Sequence, residues 1–122
     1  MRIYISHSRS FDFDNELYSP IRKHFSDSAH EFVLPHENGS DDDTKSVIAT
    51  CDLVLAEVSF PAIGVGIELG RAEAAGIRVV YVHRVGTTPS SSIRRITDDI
   101  REYASETGLL QIIDSALIRE EI

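Results

Sequence analysis

The sequence predicts an α/β fold: a three-layer sandwich with a five-stranded parallel sheet between helices. Hydrophobic periodicity switches repeatedly between short apolar runs and amphipathic stretches. One run, Leu53 to Val58, is almost continuously apolar, as a central strand covered on both faces requires. The length of 122 residues and the hydrophobic fraction of 42% suit one domain, residues 1 to 122, able to build a core without staples.

Each element follows in order. Ile3 to Ser6 is a β-rich run at the start of the chain, and Ser8 to Asp14 is a polar loop. Leu17, Ile21 and Phe25, spaced by four, predict a helix over Asn15 to Phe25, with Pro20 in its first turn or at a kink. Glu31 to Leu34 reads as the second strand, stopped by Pro35, and His36 to Ser40 as a loop. Asp41 to Asp43 supply cap and first-turn carboxylates for a helix through Cys51. After the strand at Leu53 to Val58, the residues Val65, Leu69, Ala72 and Ala75 give a helix over Gly64 to Ala75, with Gly76 closing it. Arg78 to His83 is the fourth strand, and Val85 to Ser92 a loop. Ile93, Ile96, Ile100 and Tyr103 predict a further helix, Leu109 to Ile113 the fifth strand, and the tail from Asp114 a short helix.

Strict alternation of this kind, with right-handed crossovers, leaves few topologies. The flavodoxin-like strand order 2-1-3-4-5 is the simplest of them. Ligands of such sheets bind beyond the carboxyl ends of the strands, where strands 1 and 3 diverge. That rule directs attention to Ser6–Ser10 and to Ser59–Glu68.

Composition narrows the partners. The formal charge of −8 repels a phosphate backbone, so nucleic acid is not an expected partner. Small phosphorylated ligands remain possible, because backbone amides at helix starts bind phosphate whatever the net charge. No apolar stretch is long enough to span a bilayer, and the opening residues do not resemble a signal peptide. A single cysteine, Cys51, leaves no intrachain disulfide and reads as a core thiol. The expected setting is the cytoplasm, without a membrane. The scattered histidines show no spacing that suggests a metal site.

Ser59 to Gly70 is the most informative segment. Two glycines, Gly64 and Gly66, follow a buried strand and open a helix, so backbone can approach a ligand closely. The spacing Gly66 to Gly70 is not that of a dinucleotide fingerprint. Glu68 falls in the first helical turn. There it either complements the helix dipole or, beside apolar Ile67 and Leu69, serves as a partly desolvated nucleophile. Glu57, ending the apolar strand, either caps it or touches a ligand.

The run Leu53-Val54-Leu55-Ala56-Glu57-Val58-Ser59, continued by Pro61, Gly64-Val65-Gly66 and Glu68-Leu69-Gly70-Arg71-Ala72, resembles the central motif of the nucleoside 2-deoxyribosyltransferase superfamily. The nearest branch is the 2'-deoxynucleoside 5'-monophosphate N-hydrolases. The similarity extends to Ile3-Tyr4-Ile5 with Ser8, to Leu34-Pro35-His36-Glu37 and to Ser90-Ser91-Ser92-Ile93-Arg94. It implies that Glu68 attacks the anomeric carbon of a nucleotide or nucleoside and displaces the base. Water then resolves the glycosyl–enzyme intermediate in a hydrolase, or a second base does so in a transferase. It implies further that Tyr4 orients Glu68, and that Ser8, Arg9 and Ser10 belong to a phosphate loop completed by Gly64 and Gly66. No metal or organic cofactor is required. The family's members are homodimers, in which a serine placed like Ser90 reaches the partner's phosphate site.

The chain departs from that pattern at three places. The family's leaving-group acid, an aspartate, aligns with Thr44; adjacent Asp43 is the candidate acid, unless it only caps a helix. Ala62 stands where hydrolases carry serine and transferases aspartate. His7 replaces a glycine, and would supply a cation to a phosphate, narrow the pocket or lie exposed. Two further readings follow. One is a non-catalytic module that senses a nucleotide. The other starts from Tyr4-Ile5-Ser6-His7-Ser8, which is faintly similar to the first strand of TIR domains, and implies NAD cleavage.

Overall fold

The structure, a computed structural model, describes residues 1–36 and 44–119. Its strands are β1 (Arg2–His7), β2 (Glu31–Val33), β3 (Leu53–Glu57), β4 (Arg78–Arg84) and β5 (Ile100–Tyr103). Its helices are α1 (Ser19–His24), α2 (Thr44–Ala49), α3 (Ile63–Ala74), α4 (Ser91–Arg94) and α5 (Glu106–Arg119). All neighbouring strands pair in parallel, in the order β2-β1-β3-β4-β5, as the alternation predicts.

Successive strand side chains point to opposite faces, and two cores result. Ile3, Ile5, Leu53, Leu55, Val80 and Val82 pack under Leu17 and Ile21 on one face, joined by Leu109 and Ile113 of α5. Tyr4, Val54, Ala56 and Tyr81 face Ile48 of α2 and Val65 and Leu69 of α3 on the other. The parallel register pairs Ser6 with Ala56 and His7 with Glu57, so β1 and β3 end level with one another.

The segment after β1 differs from a simple helix. Asp14–Tyr18 winds as a π-helix before α1 begins. Pro20 has no N–H with which to make the regular bond to Glu16, and the preceding Ser19 N–H reaches five residues back to the Asp14 carbonyl. The helix expected through Cys51 occupies Thr44–Ala49, while Asp41 to Asp43 lie outside the described residues. Gly76 ends α3 at φ 71°, with the Ile77 N–H closing back on the Ala72 carbonyl at 2.9 Å.

The carboxyl-terminal third corrects the sequence expectation. The fifth strand is Ile100–Tyr103, within the segment expected to be helical, and Leu109 to Ile113 lies inside α5 instead. The helix beginning at Ser91 stops at Arg94, and in the turn that follows the Thr97 hydroxyl accepts from the Asp99 N–H at 3.0 Å. Such side-chain bonds compete with the helical ladder, and Ile100 to Tyr103 then pair with Tyr81 to Arg84. Leu109, Ile113, Ala116 and Leu117 are all buried at helical spacing, and Ala116 and Leu117 extend the apolar face beyond what a short strand could use.

Candidate functional site

Tyr4 and Ser6 are two residues apart on β1 and face α3. Their hydroxyls meet Glu68. The Tyr4 O–H donates to one carboxylate oxygen, Oε2, and the Ser6 O–H donates to Oε1 at 2.9 Å. Burial first, and the carboxylate second, push the Tyr4 phenol well above its usual range, so it remains a donor. Glu68 itself lies in the second turn of α3, not the first, because the helix starts at Ile63 and carries no acidic residue in its opening turn. The helix dipole therefore does less for it than expected, and the two hydroxyls hold it instead.

Glu68 lines a cavity of about 490 Å³ shared with His7, Ser8, Arg9, His36, Ala62, Gly64 and Arg71. This is the switch-point crevice between the ends of β1 and β3. Arg71 follows Glu68 by three residues and thus shares its helical face. The two guanidiniums make this crevice locally cationic on an acidic chain. Arg9 is exposed. The Ser8 Oγ accepts from the Ser10 N–H at 3.0 Å and lies 2.7 Å from the Ser10 Oγ, which pins the loop after β1 in a tight turn.

His7 is buried, so the exposed reading fails, and so does the cationic one. Desolvation lowers its imidazole to about 4 against a partly compensating bond to the Ser8 carbonyl. That carbonyl can only accept, so Nδ1 carries the proton (2.7 Å), and Nε2 accepts from the Tyr18 hydroxyl (2.6 Å). The Tyr18 oxygen in turn accepts from the His36 N–H at 3.3 Å. The neutral His7 ring packs against Phe11, Phe13, Tyr18 and His36 and forms a wall of the cavity.

The start of α3 has no side-chain cap, since Ala62 stands at the N-cap with φ −154° and ψ 138°. The Gly66 N–H is already bonded to the Ala62 carbonyl at 3.2 Å, so only earlier amides of the helix remain to meet a ligand. Gly64 lines the Glu68 cavity, whereas Gly66 lines a neighbouring apolar cavity of about 360 Å³ with Phe60, Ile63, Ile93 and Ser90. Ser90 is thus apart from Glu68 within one chain, and its hydroxyl accepts from the Ser92 N–H at 3.2 Å. Asp43, the candidate acid, lies outside the described residues. Among the described residues, no group of three or more His, Cys, Asp or Glu could hold a metal, and no helix is long and apolar enough to cross a membrane.

Ser6, His36 and Arg71 belong to the site although sequence analysis assigned them no role: Ser6 lay in the switch-point segment, and His36 and Arg71 in the motifs that carry the resemblance. Ser6 was legible as the residue two beyond Tyr4 on the same strand face. Glu57 resolves as a strand-end cap. It is buried and accepts from the Ser59 N–H (2.6 Å), the Ser59 hydroxyl (3.0 Å) and the Tyr103 hydroxyl.

No family model matches the chain, and no curated protein matches it in sequence. Solved structures match its fold. The CMP N-glycosidase BcmB of Clostridium botulinum superposes with a TM-score of 0.66 at 19% identity, over 93% of this chain and 99% of that one. A conserved protein from Enterococcus faecalis V583 gives 0.66 and 19%, over 95% and 98%. The chain therefore shares the five-stranded parallel α/β fold of these two proteins.

Proposed function

We propose that this chain is an N-glycosidase of nucleoside 5'-monophosphates or related nucleosides, nearest the 2'-deoxynucleoside 5'-monophosphate N-hydrolases. Transfer of the deoxyribosyl group to a second base is the variant outcome of the same chemistry. The observation that carries the reading is the Glu68 carboxylate, held on both oxygens by Tyr4 and Ser6 at the edge of a cavity flanked by Arg9 and Arg71. Two hydroxyl bonds orient a nucleophile without neutralising it, and guanidiniums match a phosphate.

A Glu68 oxygen attacks C1', the C1'–N bond breaks, and its electron pair leaves with the base, which takes up a proton. Water then attacks C1' of the glycosyl ester, releasing the sugar phosphate and the Glu68 carboxylate. Ser8, Arg9, Ser10 and the Gly64 backbone form the phosphate cradle, with neutral His7 shaping its wall. Gly66 contributes by leaving the helix surface open, and the family resemblance by itself offers Asp43 as a candidate leaving-group acid. That activity belongs to one domain of residues 1–122, in the cytoplasm, as a homodimer that brings Ser90 to the partner's phosphate site. Exposed Ile63 (85%), which lines the apolar cavity, and Ile67 (50%), which lines the Glu68 cavity, support such a pairing.

The test is base release from the common ribo- and deoxyribonucleoside 5'-monophosphates by wild type and Glu68→Ala. The expected result is release by wild type and at least about a 10³-fold loss in the variant. Equal rates in both end the reading. Ala62, which offers the phosphate no hydroxyl, favours a second reading: a nucleotide sensor. A rise in melting temperature with nucleotide, without base release, would select it.

A further inference from the structure

We propose that His36, in place of Asp43, is the proton donor to the departing base, and the base that afterwards activates water, in the Glu68 cavity. The assignment rests on the glycosidase reading above. It follows from comparing the described residues that line the cavity. Glu68 is occupied as nucleophile, and the guanidiniums of Arg9 and Arg71 do not release protons near neutrality. Both nitrogens of His7 are committed, one to the Ser8 carbonyl and one to the Tyr18 hydroxyl. The Ser8 hydroxyl is engaged by Ser10.

His36 differs from all of these. Its backbone N–H is anchored on the Tyr18 hydroxyl, and its ring stands edge-on to His7 at 5.2 Å and against Phe13 at 5.8 Å. Among the described residues its ring nitrogens have no hydrogen-bond partner, while the ring borders the same cavity as Glu68. A positioned, partly exposed imidazole whose nitrogens no described residue engages is what general acid–base chemistry requires.

Protons and electrons balance. The imidazolium gives its proton to the base nitrogen as the C1'–N electron pair leaves, and neutral His36 later takes a proton from the water that attacks C1'. One water is consumed, and His36 and Glu68 return to their starting states. The groups facing the ring set its titration. Burial and Arg9 lower it, and the Glu68 carboxylate raises it. Neutral His7 and Tyr18 contribute no charge, and a bound phosphate dianion would favour the charged form.

The experiment compares two leaving groups. Base release from the common nucleoside 5'-monophosphates needs a proton, whereas 4-nitrophenolate release from 4-nitrophenyl β-D-ribofuranoside 5-phosphate does not. His36→Ala, and His36→Gln as a same-sized variant that cannot titrate, should lower base release by about 10²-fold or more. The same variants should abolish its decline with rising pH and change nitrophenolate release less than about threefold. Glu68→Ala should lower both. Equal loss on both leaving groups in His36→Gln, or unchanged base release, overturns the assignment while leaving Glu68 in place. Wild type that releases neither product overturns the glycosidase reading, and this assignment with it.

Discussion

Two glutamates end up at the same edge of the sheet on opposite faces, and each is held by one tyrosine and one serine. Glu57 points to the face covered by α1 and α5, where Tyr103 and Ser59 donate to it. Glu68 reaches the other face from α3, where Tyr4 and Ser6 donate to it. Glu57 is 1% exposed, and three donors surround it. Glu68 is half-buried with a cavity beside it. The histidines divide the same way: His7 has both ring nitrogens satisfied inside, and His36 has its ring at the cavity. The donor types are shared, so access separates a sealed carboxylate from one that borders a cavity.

The closed side has its own connections. The Ser59 hydroxyl also accepts from the Arg84 N–H at 2.8 Å. The Arg84 side chain reaches the Tyr103 oxygen at 3.3 Å and Glu16 at 2.9 Å, and lies 4.8 Å from the centre of the Phe11 ring. This arrangement ties the turn after β3 to the ends of β4 and β5, and so fixes the entry into α3.

Stability gives the sharpest contrast. Glu57→Gln places amide hydrogens against hydroxyl donors in a sealed site and should cost about 2–3 kcal/mol. Glu68→Gln, with a cavity to accommodate the change, should cost less than about 1 kcal/mol. Chemical denaturation of both variants checks the pair, and equal losses would mean that the two faces do not differ as described.

A pH experiment isolates the buried histidine. His7 binds no proton in the folded state until about pH 4, whereas an unfolded imidazole takes one up near 6.5. The unfolded chain therefore holds more protons between these values, and folding stability falls as pH drops through that window. From pH 7 to pH 5 the loss is about 2 kcal/mol, at about 1.36 kcal/mol for each pH unit below 6.5. Denaturation midpoints at both pH values should show it, and His7→Gln should flatten the slope. A slope unchanged by that substitution would assign the titration to another group.

The smallest expected effect is on the open face. Ser6→Ala leaves Glu68 Oε1 to the cavity, with a stability change under about 1 kcal/mol. Base release should drop about tenfold, the equivalent of one hydrogen bond in the transition state. An unchanged rate would show that Tyr4 alone positions the carboxylate.

The sheet order and the switch-point crevice were legible because strand–helix alternation admits few topologies. Glu68 was legible through the glycines and the small-residue turn before it. Its place in the helix was misjudged, because a turn holds about 3.6 residues and Glu68 lies beyond the first turn whether α3 starts at Ile63 or at Gly64. Tyr4 was visible by resemblance, while Ser6 needed the strand's two-residue repeat to be read alongside it. The distinction between His7 and His36 was invisible, since burial and tautomer depend on what packs above the strand.

By itself the sequence determined which segments could bury a face, how many strands result and where a ligand crevice opens, because local periodicity and connection handedness decide those. Tertiary structure alone decided that Ile100 to Tyr103 completes the sheet while Leu109 to Ile113 helps cover it. An apolar run of that length satisfies either geometry, and only a free strand edge on β4 and an uncovered face beside α1 select between them. The same holds for the two glutamates: their chemistry is identical in the chain, and the neighbours that seal one and leave the other open arrive from distant segments.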